Sequence, residues 1–212
     1  MIKIVVAYDD NDSKFADYFE ESYTNFHQSM QAANETPTTV LRGLECNEGN
    51  INNAVNPLKA NPFLFVGLSH GDETGNYLLT ENDAYVSPDN SVNFTNSFFY
   101  TTGCNAGLGL RENLLQHGCK VFIGYTDNSK LPLNEDYNSL FIDCELYALK
   151  QFMSSDSAID ELFNEMMNYT QAKIDWLFDN DEIVEAMDLQ SNKDCMMIDG
   201  DGSLTRQHFQ LN

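Results

Sequence analysis

Basic residues are scarce in this chain. Only 11 Lys and Arg stand against 33 Asp and Glu, a formal net charge of −22 over 212 residues. So negative a surface repels phosphate backbones and anionic headgroups, which argues against direct nucleic-acid or membrane binding. It favours cations, basic substrates and partners with positive patches. Cysteine is sparse and scattered: Cys46, Cys104, Cys119, Cys144 and Cys195 form no CxxC pair and no zinc-type Cys/His spacing. An odd, dispersed set makes a poor disulfide framework and suggests a reducing compartment. No residue pattern calls for a metal or a cofactor. No apolar run reaches the length of a membrane-spanning helix. The opening Met1-Ile2-Lys3-Ile4-Val5-Val6-Ala7-Tyr8 turns acidic too soon for a signal peptide. A cytoplasmic location is expected, and neither an internal repeat nor a low-complexity linker interrupts the chain.

Hydrophobic residues are plentiful, at 42% with 12% aromatic, enough for a substantial core. Short apolar runs over Ile2–Tyr8, Thr38–Leu44, Phe63–Ser69, Phe98–Thr102 and Lys120–Tyr125 predict strands buried on both faces. Helical patterns over Lys14–Ala33, Ile51–Lys59 and Leu108–His117 fall between them, with Asp12 or Ser13 capping the first and Gly118 ending the third. Strand–helix alternation predicts an α/β fold with an open, mostly parallel sheet flanked by helices. Residues 77–92 interrupt the rhythm and read as an inserted β-hairpin. Two further helices are expected over Asn134–Met153 and Ser157–Asp179, the second anchored by Trp176. Beyond them, Asp199-Gly200 reads as a turn between two short strands. This division suggests a core over residues 1–153 and a helical C-terminal extension over 154–212, packed on the same domain.

Two strand ends carry chemistry. The third predicted strand delivers Ser69-His70-Gly71, and the fourth delivers Gly103-Cys104-Asn105. Ligands of an open parallel sheet bind beyond the carboxyl ends of its strands, so neighbouring strands would place His70 and Cys104 in one crevice. A thiolate is a strong nucleophile, and an imidazole can take the thiol proton and later protonate a leaving amine. Glycine after the histidine leaves room for a carbonyl oxygen, so the N–H groups of Gly71 and Cys104 would form an oxyanion hole. The expected helix at Leu108 would put Cys104 near a positive helix end. His117 reads as a helix C-terminal residue, while His27 and His208 stand apart from any motif.

An apolar strand ending in Ser-His-Gly, an inserted hairpin, and an apolar strand ending in a cysteine among small residues resemble the caspase-like cysteine peptidases. The Thr101–Gly107 loop is most similar to the CHAT, gingipain and metacaspase-like branch. The caspase pattern Gln-Ala-Cys-Arg-Gly is absent, which speaks against cleavage after Asp. Thr102 stands where metacaspases carry an acid. The resemblance implies a thiol protease acting on a protein or peptide substrate through a His70/Cys104 dyad. It further implies that the loop after the first strand lines the pocket for the residue before the cleaved bond. Asp9, Asp10, Asp12, Asp72 and Thr102 are therefore candidate substrate-binding residues, with a preference for Lys or Arg. No sensor repeat is present, so control is expected from a regulatory protein partner or a ligand. The alternative is a catalytically inactive caspase-like module that binds or adapts.

Overall fold

The computed structural model describes residues 1–81 and 83–210. Asn82, inside the expected hairpin, and Leu211 and Asn212, at the end of the expected tail, lie outside the described residues. The strands are β1 (Ile4–Tyr8), β2 (Thr39–Arg42), β3 (Phe63–Leu68), β4 (His70–Gly71), β5 (Leu78–Leu79), β6 (Ala84–Val86), β7 (Ser97–Thr101), β8 (Val121–Tyr125) and β9 (Met196–Gly200). Six of them form one sheet in the order β2-β1-β3-β7-β8-β9. The first five run parallel, and β9 closes the edge antiparallel to β8.

The continuous apolar runs follow from burial of both faces. On one face, Val6, Tyr8, Val66, Leu68, Phe98, Tyr100 and Ile123 pack with residues of α1 (Ala16–Ala32), α5 (Tyr147–Ser154) and α6 (Ile159–Asp179). On the other, Val5, Ala7, Phe65, Phe99 and Phe122 meet α2 (Glu48–Val55), α3 (Leu110–Gln116) and the 3-10 segment Pro88–Phe94. Each fully buried Phe or Leu in these layers contributes about 1.5–3 kcal/mol.

Several expected boundaries move for identifiable reasons. Asn47 accepts the Asn50 N–H at 3.0 Å and starts α2 three positions early, while Val55 ends it before Pro57. The helix expected over 134–153 breaks at Leu146 into α4 (Asn138–Glu145) and α5. Trp176 does not anchor α6: it is 48% exposed, and the buried stripe is Ile159, Leu162, Met166, Thr170, Ile174 and Leu177. The expected strand–turn–strand around Asp199-Gly200 is also corrected. Met196–Gly200 forms one strand paired residue by residue with β8, and the chain then runs to a 3-10 turn at Arg206–Phe209. The unpaired edge of β8 supplies the donors and acceptors that extend this segment. Before it, α7 (Ile183–Cys195) packs antiparallel on the end of α6. No helix among the described residues is long and apolar enough to cross a membrane.

The insertion is a three-stranded antiparallel sheet rather than a hairpin alone, because His70–Gly71 pairs with Leu78–Leu79. The histidine end of β3 is thereby held by a ladder on its far side.

Candidate active site

β3 and β7 are adjacent and parallel, with Gly67 opposite Thr101. The segments that leave their carboxyl ends therefore run side by side. Gly71 lies against the Cys104 backbone so closely that a Cβ there would overlap the Cys104 carbonyl. Gly103 is less constrained: a Cβ there would meet a terminal methyl of the Leu78 side chain at 2.5 Å. Gly71 is required by the close approach of the two strand ends.

The Cys104 segment does not enter a helix. Asn105 adopts φ 59°, its N–H donates to the Asp127 carbonyl at 3.2 Å, and the Gly107 N–H donates to Tyr125 at 2.8 Å. These bonds tie the loop to the end of β8, and α3 begins only at Leu110. The expected helix start beside Cys104 is thus corrected. The Cys104 N–H forms no hydrogen bond within the chain among the described residues, and its Sγ lies 3.4 Å from Ser129 Oγ.

All five cysteines are free, and Cys104 alone is not buried. Burial pushes the thiol pKa up to about 12 in Cys46 and Cys144 and to about 11 in Cys119 and Cys195. Those four behave as small apolar side chains.

His70 is held on two sides. Its Nε2 lies 2.8 Å from Asp12 Oδ2, and the rings of Phe15 and Phe19 stand edge-on to the imidazole at 5.4 and 5.3 Å. Burial works against ionisation of Asp12, but hydrogen bonds from the Lys14 and Phe15 N–H groups and from His70 outweigh it and hold the carboxyl below its usual range. No hydrogen bond joins His70 to Cys104 among the described residues. Both open onto one cavity of about 380 Å³, within the usual range for ligand sites.

Of the candidate substrate-binding residues, Thr102 lines this cavity and the four aspartates do not. Asp9 is fully buried and accepts from the Asn11 and Glu81 N–H groups. Asp10 lies 3.8 Å from the Arg42 guanidinium. Asp72 accepts from the Thr74, Asn76 and Tyr77 N–H groups, closing the β4–β5 loop. Burial opposes its ionisation, but these bonds prevail and lower its pKa. Asp12 orients the histidine.

The cavity also holds residues that sequence reasoning passed over. Phe15, at the N-cap of α1, and Tyr18 and Phe19, in its first turn, reach the cavity together, a spacing visible in the sequence. Ser129, Leu131 and Pro132 come from the loop after β8, and Glu145 ends α4. A carboxylate within the apolar run Phe141-Ile142-Asp143-Cys144-Glu145-Leu146 is the signal that could have flagged Glu145.

No family model and no curated protein matches this chain. Among solved structures, the fold is similar to that of the Arg-specific cysteine proteinase gingipain R (RgpB), with TM-score 0.61 and 15% identity, over 96% of this chain and 47% of that one. It is also similar to the complex of Porphyromonas gingivalis RgpB pro- and mature domains, with TM-score 0.56 and 15% identity, over 96% and 48% of the two chains. The separase–securin complex of Saccharomyces cerevisiae gives TM-score 0.59 and 11% identity, over 94% of this chain and 12% of that one. The chain thus has the caspase-like α/β fold and spans about half or less of each of these three chains.

Proposed function

We propose that this chain is a cysteine peptidase working through a His70/Cys104 dyad. The observation that carries the reading is that His70 and Cys104 leave adjacent parallel strands and open onto one cavity, with the only unburied thiol of the chain facing it. The fold shared with gingipain R and separase supports it.

Asp12 accepts from Nε2 of His70, which leaves Nδ1 to take the Cys104 proton. The sulfur then attacks the scissile carbonyl. The N–H groups of Gly71 and Cys104 receive the oxyanion, for which the unbonded Cys104 N–H is already available. The protonated imidazole returns its proton to the leaving amine, and water resolves the thioester through the same base. The gap between the two side chains is where the carbonyl enters, and catalytic hydrogen bonds tighten when substrate binds.

A basic residue before the cleaved bond is preferred, in keeping with the formal charge of −22 and with the arginine specificity of gingipain R. Control by a partner protein is in keeping with the securin complex of separase and the pro-domain complex of RgpB. Intact mass after treatment with peptide chloromethyl ketones tests the reading. One adduct is expected, on Cys104, and it is absent in Cys104→Ala. A wild-type chain that takes no adduct on Cys104 is an inactive binding module instead.

A further inference from the structure

The cavity beside the dyad contains a polar pair that the peptide-cleaving chemistry does not use. Glu145 lines it while only 7% exposed, and Tyr18 lines it at 5%. No Lys, Arg or His pairs with Glu145 among the described residues; Ser22 Oγ donates to it at a long 3.4 Å. The Tyr18 hydroxyl interacts electrostatically with the carboxyl, yet it is buried and closes no hydrogen bond of acceptable geometry. A carboxyl without a cation, with only weakly held hydroxyls beside it, is costly in an apolar wall. Here that wall is made by Phe15, Phe19 and Leu131. Such a surface matches a side chain with an apolar stem and a cationic tip.

We propose, resting on the peptidase reading, that Glu145 selects the residue before the scissile bond: its carboxyl and the Tyr18 hydroxyl together receive the terminal cation of a lysine or arginine, and entry of that cation expels one proton from Glu145 to solvent. Selectivity is therefore linked to pH. Burial pushes the Glu145 pKa up to about 8, against the smaller lowering effects of Tyr18 and Ser22. The other groups around it do not supply a compensating charge. Tyr100 from β7 donates to the Glu145 main-chain carbonyl, Tyr125 approaches from β8, and Asp143 and Cys144 precede it on α4. Lys130 lines the cavity from the exposed loop after β8, with His70 and Cys104 on the same lining. At neutral pH the Glu145 carboxyl of the vacant pocket is mostly neutral. A cation must first displace the proton, whereas an apolar side chain enters without that cost.

The test compares two chloromethyl ketones of one peptide sequence, ending in lysine or in its uncharged analogue norleucine. The rate of Cys104 adduct formation is read by intact mass between pH 6 and 9. Ionisation of the dyad affects both reagents alike and cancels in their ratio. In the wild type the lysyl-to-norleucyl ratio is expected to rise about tenfold per pH unit up to about pH 8 and then level off. In Glu145→Gln, a near-isosteric change, the ratio becomes flat with pH and lysine loses its advantage. Tyr18→Phe, which removes the hydroxyl beside the carboxyl, lowers the ratio several-fold without flattening it. A wild-type ratio independent of pH, or a lysine preference retained in Glu145→Gln, overturns the inference and leaves the peptidase reading standing. Alkylation of Cys104 by iodoacetamide with no adduct from either ketone overturns both.

Discussion

Asp12 and Glu145 are both carboxyl groups next to the same cavity, and their surroundings push them in opposite directions. Asp12 sits in the loop after β1, where two backbone N–H groups and an imidazole reach it within 2.8 Å. Those donors offset its burial and favour the charged form. Glu145 sits at the end of α4, where burial dominates and only weak donors oppose it, so the neutral form is favoured up to about pH 8. In the proposed mechanism one is a fixed anion that orients the base and the other a neutral acid that waits for a cation. The contrast teaches that depth and hydrogen-bond supply act together: Asp12 is half-buried and well supplied with donors, Glu145 deeply buried and poorly supplied.

The contrast has meaning only if the chemistry lies between these groups, and the largest expected effects test that. Cys104→Ala abolishes peptide cleavage and covalent labelling with the fold intact by circular dichroism, whereas replacing any of the four buried cysteines spares the activity. His70→Ala lowers kcat/KM by about 10²–10⁴-fold, the usual contribution of a positioned proton donor. His117→Ala, on an exposed helix end, stays within about tenfold of wild type; equal losses in the two variants would mean that Asp12 serves the wrong histidine. Asp12→Asn keeps the size of the side chain but removes its charge. It lowers kcat/KM about tenfold, ~1.4 kcal/mol in barrier, and moves the acid limb of the pH–rate profile. A loss with no change in that profile would reduce Asp12 to a structural cap.

The last effect is on stability, and it sharpens the comparison most directly. The folded-state pKa of Glu145 is raised from 4.5 to about 8. Its contribution is therefore fully present below pH 4.5 and is lost as the pH climbs through that window. Glu145→Gln escapes this loss, so its thermal midpoint gains on wild type between pH 5 and 8, by a shift reflecting a few kcal/mol. Asp12 has the opposite sign. Its lowered pKa stabilises above the unfolded value of 3.8 and fails as the pH falls further, so Asp12→Asn and wild type converge in strong acid. Thermal denaturation of the two variants across pH 3–9 measures both trends, and parallel pH dependences would erase the distinction.

Much of the fold was legible because parallel strands buried on both faces must be short and apolar throughout. Phe63–Leu68 and Ser97–Thr101 announce themselves that way. The residues of the proposed dyad stand out for the same reason, since His70 and Cys104 follow those runs at their carboxyl ends. Local pattern failed where long-range partners decided. Met196–Gly200 is a strand because β8 offers an open edge, which nothing within those five residues encodes. Cys104 leads into a β8-bonded loop rather than a helix because Tyr125 and Asp127 present their carbonyls to it.

The site divides along the same line. Residue type and order were enough to single out His70, Gly71 and Cys104, because a base, an open backbone and a thiol at strand ends carry their chemistry with them. The sequence also offered Asp9, Asp10, Asp12 and Asp72 as equals, for a carboxylate looks the same wherever it stands in a chain. Only the folded structure separates them: Asp9 is consumed by backbone donors, Asp10 by Arg42, Asp72 by its own loop and Asp12 by His70. And only the folded structure brings Glu145, from a helix remote in sequence, to the wall beside the thiol. Its protonation is set there by the water that the surrounding elements exclude, a property that belongs to no segment of the chain taken alone.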